Sequence, residues 1–593
     1  MFLVYFHVII YTIFTKIIFL SAILLSLASC EDFLAEDPKG NITEAYALTE
    51  DGAEKEVLSL YQINTDLLEH LYMVGEMGSD ATAWGGNTRN YWKATVIYED
   101  AYMVDNADNA NLWKWLYVGL TTANTAINSV NNAEIKTEGK REQLLSEVHA
   151  MRAFYLHELV VHFGPYANFT DEPIKSIDQI KANQPGVSTF YKTIFADLDI
   201  ADQALPMPAE IKDKEFGRLN LGVAKALRMK ALMSLAWNDN TIIQEVGFKD
   251  KKDCYQKAAD IANSLIKDYG YKLENDFHAI FDPANQENDE IIWSIQYGNT
   301  IFDSQNNYLA RYWVSQVNRS VNSYTKTIDG LQAHSVYYGR EYRTLMPTYY
   351  FISAFNKYDK RREATFISAY CRTPEGGVEF PDFSDTLLIR SLDVVPQEIK
   401  QQYAQRGIIC DDISDLYDLE TGEIKGTNAR SCANNLTKWL DNSRLTAKQE
   451  YSFKDAILIR LGEVYITLAE AYIQLGEKDK AAQVITELRK RTLVPGHEAE
   501  QAVTANDMTL EFVLDEGIRE MGGEIGRWEM LKRALSPEDW VQWLRTHNPD
   551  TATEGAQGIG VQAYHVYRPV PLSTVNSYAA LGIEFKKTEG YTY

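Results

Sequence analysis

Cysteine is almost absent from this chain: five residues in 593, at positions 30, 254, 371, 410 and 432. None forms a CxxC pair and none stands beside histidine at metal-ligand spacing, so a zinc site has no support. Only a Cys410–Cys432 bridge is a candidate disulfide, and it requires an oxidising compartment. Positive charge is also scarce, with 58 Lys and Arg against 83 Asp and Glu, a formal net charge of −25. An acidic surface is repelled by phosphate backbones, which argues against nucleic-acid binding. Histidine offers no metal motif either. His149, His157 and His162 lie on or near one helix without i,i+4 spacing, and read as structural side chains.

What is present is helical periodicity. In the stretch from Asp455 to Arg491, Ile457, Leu461, Val464, Tyr465, Leu468, Tyr472 and Leu475 recur on one helical face. Gly476 should stop that helix, because glycine takes the left-handed cap conformation without strain. A second helix through Ala481, Ile485 and Leu488 follows. Counted from Tyr465, small residues fall at +4 (Ala469) and +16 (Ala481), close to the spacing of a tetratricopeptide helix pair. An ordinary hairpin in another all-α core is the alternative. Further helices are predicted over 112–130, 143–163, 188–205, 221–237 and 255–266, as irregular pairs interrupted by insertions.

Residues 2–29 are almost wholly apolar, with Lys16 the only formal charge. Ile17 to Leu27 has the length of a signal-peptide hydrophobic core and runs into Leu27-Ala28-Ser29-Cys30, a lipobox. Cys30 would be the acylated residue, with residues 1–29 a lipoprotein signal peptide and the mature chain anchored to a membrane by lipid. An uncleaved membrane helix is the alternative.

Two segments break the helical pattern. GSDATAWGGNTRNYW (78–92) sets Trp84 and Trp92 among glycine and polar residues. From Glu290 to Ser452 the period weakens. EIIWSIQYG alternates like a short strand, then NNYLARYWVSQVNRS and HSVYYGREYRTLMPTYY follow, dense in Tyr, Asn and Arg. Connections this long usually carry function. The tail YRPVPLSTVNSY is expected to lie extended on the surface.

Taken in order, these pieces resemble the SusD/RagB family of surface glycan-binding lipoproteins. The resemblance rests on the lipobox, GEMGSDATAW, EVHAMRAFYLHELVVHFG, FYKTIFADLDIADQALP and ENDEIIWSIQYG. MPTYYFISAF with Asp359-Lys360-Arg361-Arg362, IRLGEVYITLAEAYIQLG, LDEGIREMGGEIGRWEMLKR and YRPVP complete it. It implies a mainly α fold, an irregular tetratricopeptide-like scaffold of helix pairs with long ligand-binding loops and minor β structure. Residues 30–593 would form one domain, with an N-terminal part over about 31–290 and a C-terminal part over about 291–593 that carries a loop insertion at 300–452. The implied partners are a SusC-like TonB-dependent outer-membrane transporter and an oligosaccharide or, in some members, a peptide. No catalysis is implied.

Sugar rings lie on aromatic planes through their C–H faces, while their hydroxyls need polar partners. Asp80, Trp84, Asn87, Arg89 and Trp92 supply that mixture, as do Tyr308, Tyr312 and Trp313. Two or three rings at about 1 kcal/mol each, with hydrogen bonds adding as much again, give roughly millimolar to tens-of-micromolar dissociation constants. The loops' many Asp and Asn residues permit calcium without requiring it. A glycosidase would need paired carboxylates, for which Asp515, Glu516, Glu520 and Glu524 stand close together. Arg519 and Arg527 are interleaved with them, and ion pairing explains that arrangement without catalysis. A purely structural repeat protein that holds protein partners is the third reading.

Overall fold

Each stretch of helical periodicity becomes a helix packed on the next. The computed structural model describes residues 44–593 apart from 88–89, 175, 299–305 and 553–559. The signal segment and Cys30 therefore lie outside the described residues, as does Arg89. Thr49 opens α1 (Glu50–Glu76) by accepting the Gly52 N–H at 3.1 Å, and Asn106 opens α2 (Ala107–Asn132) by accepting that of Asn109 at 3.0 Å. Such caps satisfy first-turn donors that have no partner inside the helix. Next come α3 (Lys140–Phe163), α4 (Val187–Ala204), α5 (Leu221–Ala236) and α6 (Lys251–Asp268). Consecutive members of this series are packed together.

The series then skips residues 269–460. Helix α6 packs on α7 (Leu461–Leu475), which packs in turn on α8 (Lys478–Arg489) and α9 (Leu510–Met521). Gly476 caps α7 at φ +81°, and Ala469 and Ala481 are both fully buried where α7 meets α8. The histidines of α3 are buried too. His149 meets Asp197 at 2.6 Å and His157 meets Ser234 at 3.1 Å. Burial pushes the His162 pKa down to about 4, so it is neutral at physiological pH.

Strands are few and short. β1 (Thr82–Trp84) pairs antiparallel with β5 (Leu345–Pro347), and β2 (Ile291–Ile295) with β9 (Ala456–Arg460). A hairpin joins β3 (His334–Ser335) to β4 (Gly339–Arg340). The three-stranded sheet has the order β6 (Ala369–Arg372), β7 (Asp382–Ser391), β8 (Ile409–Asp412), with β7 and β8 parallel.

Two local expectations are corrected, and the candidate disulfide is decided. Ile457 belongs to β9 rather than to the helix, because Ala456–Arg460 pairs with β2 and the chain is still extended at Arg460. The tail is not a surface strand: Arg568 and Val570 are buried and Leu572–Ala580 is helical. Cys410 and Cys432 are free thiols, Cys410 half-exposed on β8 and Cys432 buried after a short helix.

Candidate functional site

The loop after β1 is held against the segment before β5 by backbone contacts that admit only small residues. Gly85 N–H donates to the Thr344 carbonyl at 2.8 Å, and Asn87 N–H to that of Arg343 at 2.9 Å. A Cβ on Gly85 would stand 2.4 Å from the Arg343 carbonyl oxygen, and one on Gly86 2.0 Å from Ser431 Oγ. Glycine is needed at both positions for that close approach. The Asn87 side chain also donates to the Tyr342 carbonyl at 3.0 Å. Trp84 is paired with Leu345, and Arg343, at φ +56°, turns the chain between that strand and Tyr342.

Trp84 is half-buried and carries cations. The Arg430 guanidinium stands 3.7 Å from its ring centroid and the Lys93 ammonium 4.9 Å. Arg430 is itself fixed by a bidentate pair with Asp550, at 2.8 and 2.6 Å. A sugar stacking on Trp84 has to share the ring with Arg430 or displace it.

Beside Tyr342, half-buried tyrosines flank Arg311, and a further half-buried one packs behind them. Its guanidinium carbon lies 4.3 Å from the Tyr308 centroid and 4.5 Å from that of Tyr342, and Tyr451 packs edge-on against Tyr308 at 6.5 Å. Glu450 accepts from Arg311 at 2.8 Å and pairs with Arg340 at 2.9 Å. Arg311 Nε and Arg340 Nε have no hydrogen-bond partner among the described residues. Burial alone would lower the Arg311 pKa, but the adjoining Tyr312 and Glu69 outweigh it and keep the cation charged. The β3–β4 hairpin that carries Arg340 turns at Tyr337. The Tyr337 ring lies 5.6 Å from Phe380 and 5.2 Å from Phe383, which are 53% and 57% exposed. This surface combines aromatic faces with guanidinium donors and a carboxylate acceptor, the mixture that carbohydrate demands.

Of the eight residues singled out from sequence, the seven that are described, all but Arg89, divide sharply. Trp84, Asn87 and Tyr308 reach the surface. Trp92 and Tyr312 join the cluster only from beneath, at 5% and 2% exposure, with both rings edge-on to Tyr342. Trp92 donates to Asp108 at 3.1 Å and the Tyr312 hydroxyl bonds to Glu69, so they support the surface without forming it. Trp313 is a core ring, 2% exposed and donating to the Tyr72 hydroxyl. Asp80 is a buried anion, paired with Arg527 at 2.5 Å and accepting from Trp543 at 2.8 Å. These last two have no surface to offer a ligand. Tyr342, Arg340, Arg311, Glu450 and Tyr451 were missed as site residues. The Tyr/Arg density of YYGREYR was the one available signal for the first two.

The carboxylates proposed for hydrolysis are fully engaged. Glu516 pairs with Arg361, Arg489 and Arg519, and Glu520 with Arg361, Arg460 and Arg491, at 2.5 to 3.0 Å. Glu524 is held by Arg460 at 2.7 Å and Lys438 at 2.6 Å, and Asp515 accepts from Tyr350. Burial alone would raise the Glu516 and Glu520 pKa values, but the arginines win and hold both well below the carboxylate range. A general acid needs the opposite shift.

Two family models match the chain. One described as the SusD family covers residues 278–582, and one described as starch-binding, associating with outer membrane, covers 43–216. SusD-like protein P25 of Formosa agariphila is 23% identical over 572 residues, spanning 93% of this chain and 94% of that protein. Among solved structures, B. fragilis NanU superposes with a TM-score of 0.63 at 17% identity, covering 94% of this chain and all of that one. Surface glycan-binding protein A from Bacteroides thetaiotaomicron, in complex with laminarihexaose, gives 0.61 at 16% identity over 89% and 98%.

Proposed function

The chain belongs to the SusD family, and on that footing we propose that it is a cell-surface glycan-binding lipoprotein. It captures oligosaccharide and passes it to a TonB-dependent, SusC-like outer-membrane transporter. The observation that carries the ligand class is the cluster of Tyr308, Tyr342 and Tyr451 around Arg311, Arg340 and Glu450. Rings accept the C–H faces of sugars, and the guanidinium N–H groups and the Glu450 carboxylate answer their hydroxyls. The Tyr337, Phe380 and Phe383 rings extend the apolar surface for a chain longer than one or two residues. The laminarihexaose complex of the Bacteroides thetaiotaomicron protein, on the same fold, supports a saccharide. The description of the N-terminal family model supports placement at the outer membrane, and the lipobox makes Cys30 the acylated anchor of this reading.

The test is a panel of oligosaccharides and peptides titrated against residues 31–593 prepared without lipid. At least one oligosaccharide should bind with a dissociation constant between roughly millimolar and tens of micromolar. Tyr342→Ala and Arg311→Ala should each weaken it about tenfold or more while the thermal midpoint stays within a few degrees. Undiminished binding in both variants moves the site elsewhere, and retention of peptides alone changes the ligand class.

A further inference from the structure

Phe216 and Gly217 separate two clefts on the helical side of the molecule, where α5, the end of α6 and β2 meet. The cleft on the α6 side has a volume of about 210 Å³, smaller than a drug-sized pocket and enough for a single ring. Its walls are apolar and partly planar, formed by Ile211, Phe216, Tyr269, Tyr271, Ile291 and Ile292. None of these residues belongs to the tyrosine–arginine surface.

Asn220, Lys212 and Lys272 bring donors to this cleft. Asn220, 7% exposed, is the N-cap of α5, and its Oδ1 accepts both the Val223 N–H at 3.2 Å and the Tyr271 hydroxyl at 3.1 Å. Both bonds use the oxygen, so the amide Nδ2 is left without a protein partner among the described residues. At the rim, Lys212 and Lys272 flank a single carboxylate, Asp289, with Lys272 Nζ 3.8 Å from it. Two ammonium groups thus face one carboxylate at the rim, while Asp202 and Asp268 act on the Tyr269 wall. A free amide donor at the floor, two ammonium groups at the rim and planar apolar walls select one kind of molecule.

We propose that this cleft is a second ligand site, separate from the glycan surface, for a six-membered ring bearing a carboxylate. The ring lies against the tyrosine and isoleucine walls, the carboxylate meets Lys272, and a ring acceptor or hydroxyl receives the Asn220 Nδ2 hydrogen. A hexuronic acid and an aromatic acid share this chemistry.

Calorimetric titration of residues 31–593 with glucuronate, benzoate and uncharged methyl glucoside tests the assignment. At least one of the two carboxylates binds saturably, and which one identifies the source; methyl glucoside binds at least roughly tenfold more weakly. Asn220→Asp keeps the capping oxygen and replaces the free donor with an anionic acceptor, so it lowers affinity about tenfold or more. Lys272→Glu, at a side chain that is largely exposed, does the same, whereas Tyr342→Ala leaves this binding unchanged. The proposal is overturned by absence of saturable binding for both carboxylates, by affinity that survives both cleft substitutions, or by equal loss in Tyr342→Ala.

Discussion

Asp80 and Arg527 have no solvent contact, and each is the other's main counter-charge. Removing one member of such a pair leaves an unpaired ion in low dielectric, which costs about 3–5 kcal/mol. Asp80→Ala should therefore show a large drop in urea midpoint, as should Trp313→Ala, where the lost ring leaves a core cavity worth about 3–5 kcal/mol. Tyr342→Ala, at a half-exposed ring, should leave the midpoint nearly intact, so chemical denaturation separates core residues from ligand residues. Asp455 differs in kind: burial raises its pKa to about 6, against hydrogen bonds from Tyr297 N–H and Gln296 that pull the other way. The folded state thus binds this proton more tightly than the unfolded chain does. Stability from that proton is full below pH 4 and is lost as pH rises through 6. Asp455→Asn keeps the shape without the charge and should gain about 1–3 kcal/mol over the natural chain at pH 7. The gain should vanish at pH 4, and denaturation at the two pH values measures it.

At the scale of elements, α7 and α8 were legible because their signals are local. A 3.6-residue period, two alanines at the crossing and a terminal glycine all lie within one short stretch, and each has the role its spacing implies. Ala481→Leu should force this crossing apart and cost about 1–3 kcal/mol, read as a lowered thermal midpoint with helical circular dichroism retained below it. Strand β9 was not legible. AILIR continues the apolar run of α7, and only pairing with β2, far away in sequence, makes it extended. The ligand surface was half legible for the same reason. A tryptophan in a glycine-rich loop indicates a ring without a helical stripe to join. Whether that ring ends under Tyr342, as Trp92 does, or under an arginine, as Trp84 does, depends on partners hundreds of residues away. Tyr308 and Tyr451 meet across a comparable gap, so no window of sequence contains their cluster.

For the whole molecule, the question is how a weak sugar site, as proposed, would serve transport. One hydrophobic cluster extends from Ala53 to Tyr591, so the ligand surface sits on a body in which α1 and the C-terminal tail share a core. A rigid body with millimolar to micromolar affinity, free in the medium, would lose its ligand by dilution. On the proposed function, a lipid at Cys30 would confine it near the membrane, where each release would occur at high local concentration of acceptor. One acyl chain holds only marginally, and several contribute about 0.8 kcal/mol per buried methylene, enough for durable attachment. Anchoring and sugar affinity are then independent, because the lipid acts on location alone. Cys30→Ala should abolish incorporation of labelled palmitate and release the chain from the membrane fraction. Calorimetry on the released chain should return the same oligosaccharide affinity as residues 31–593. Loss of affinity along with the lipid would mean that the anchor helps to form the site, and membrane retention without Cys30 would restore the reading of residues 2–29 as an uncleaved helix.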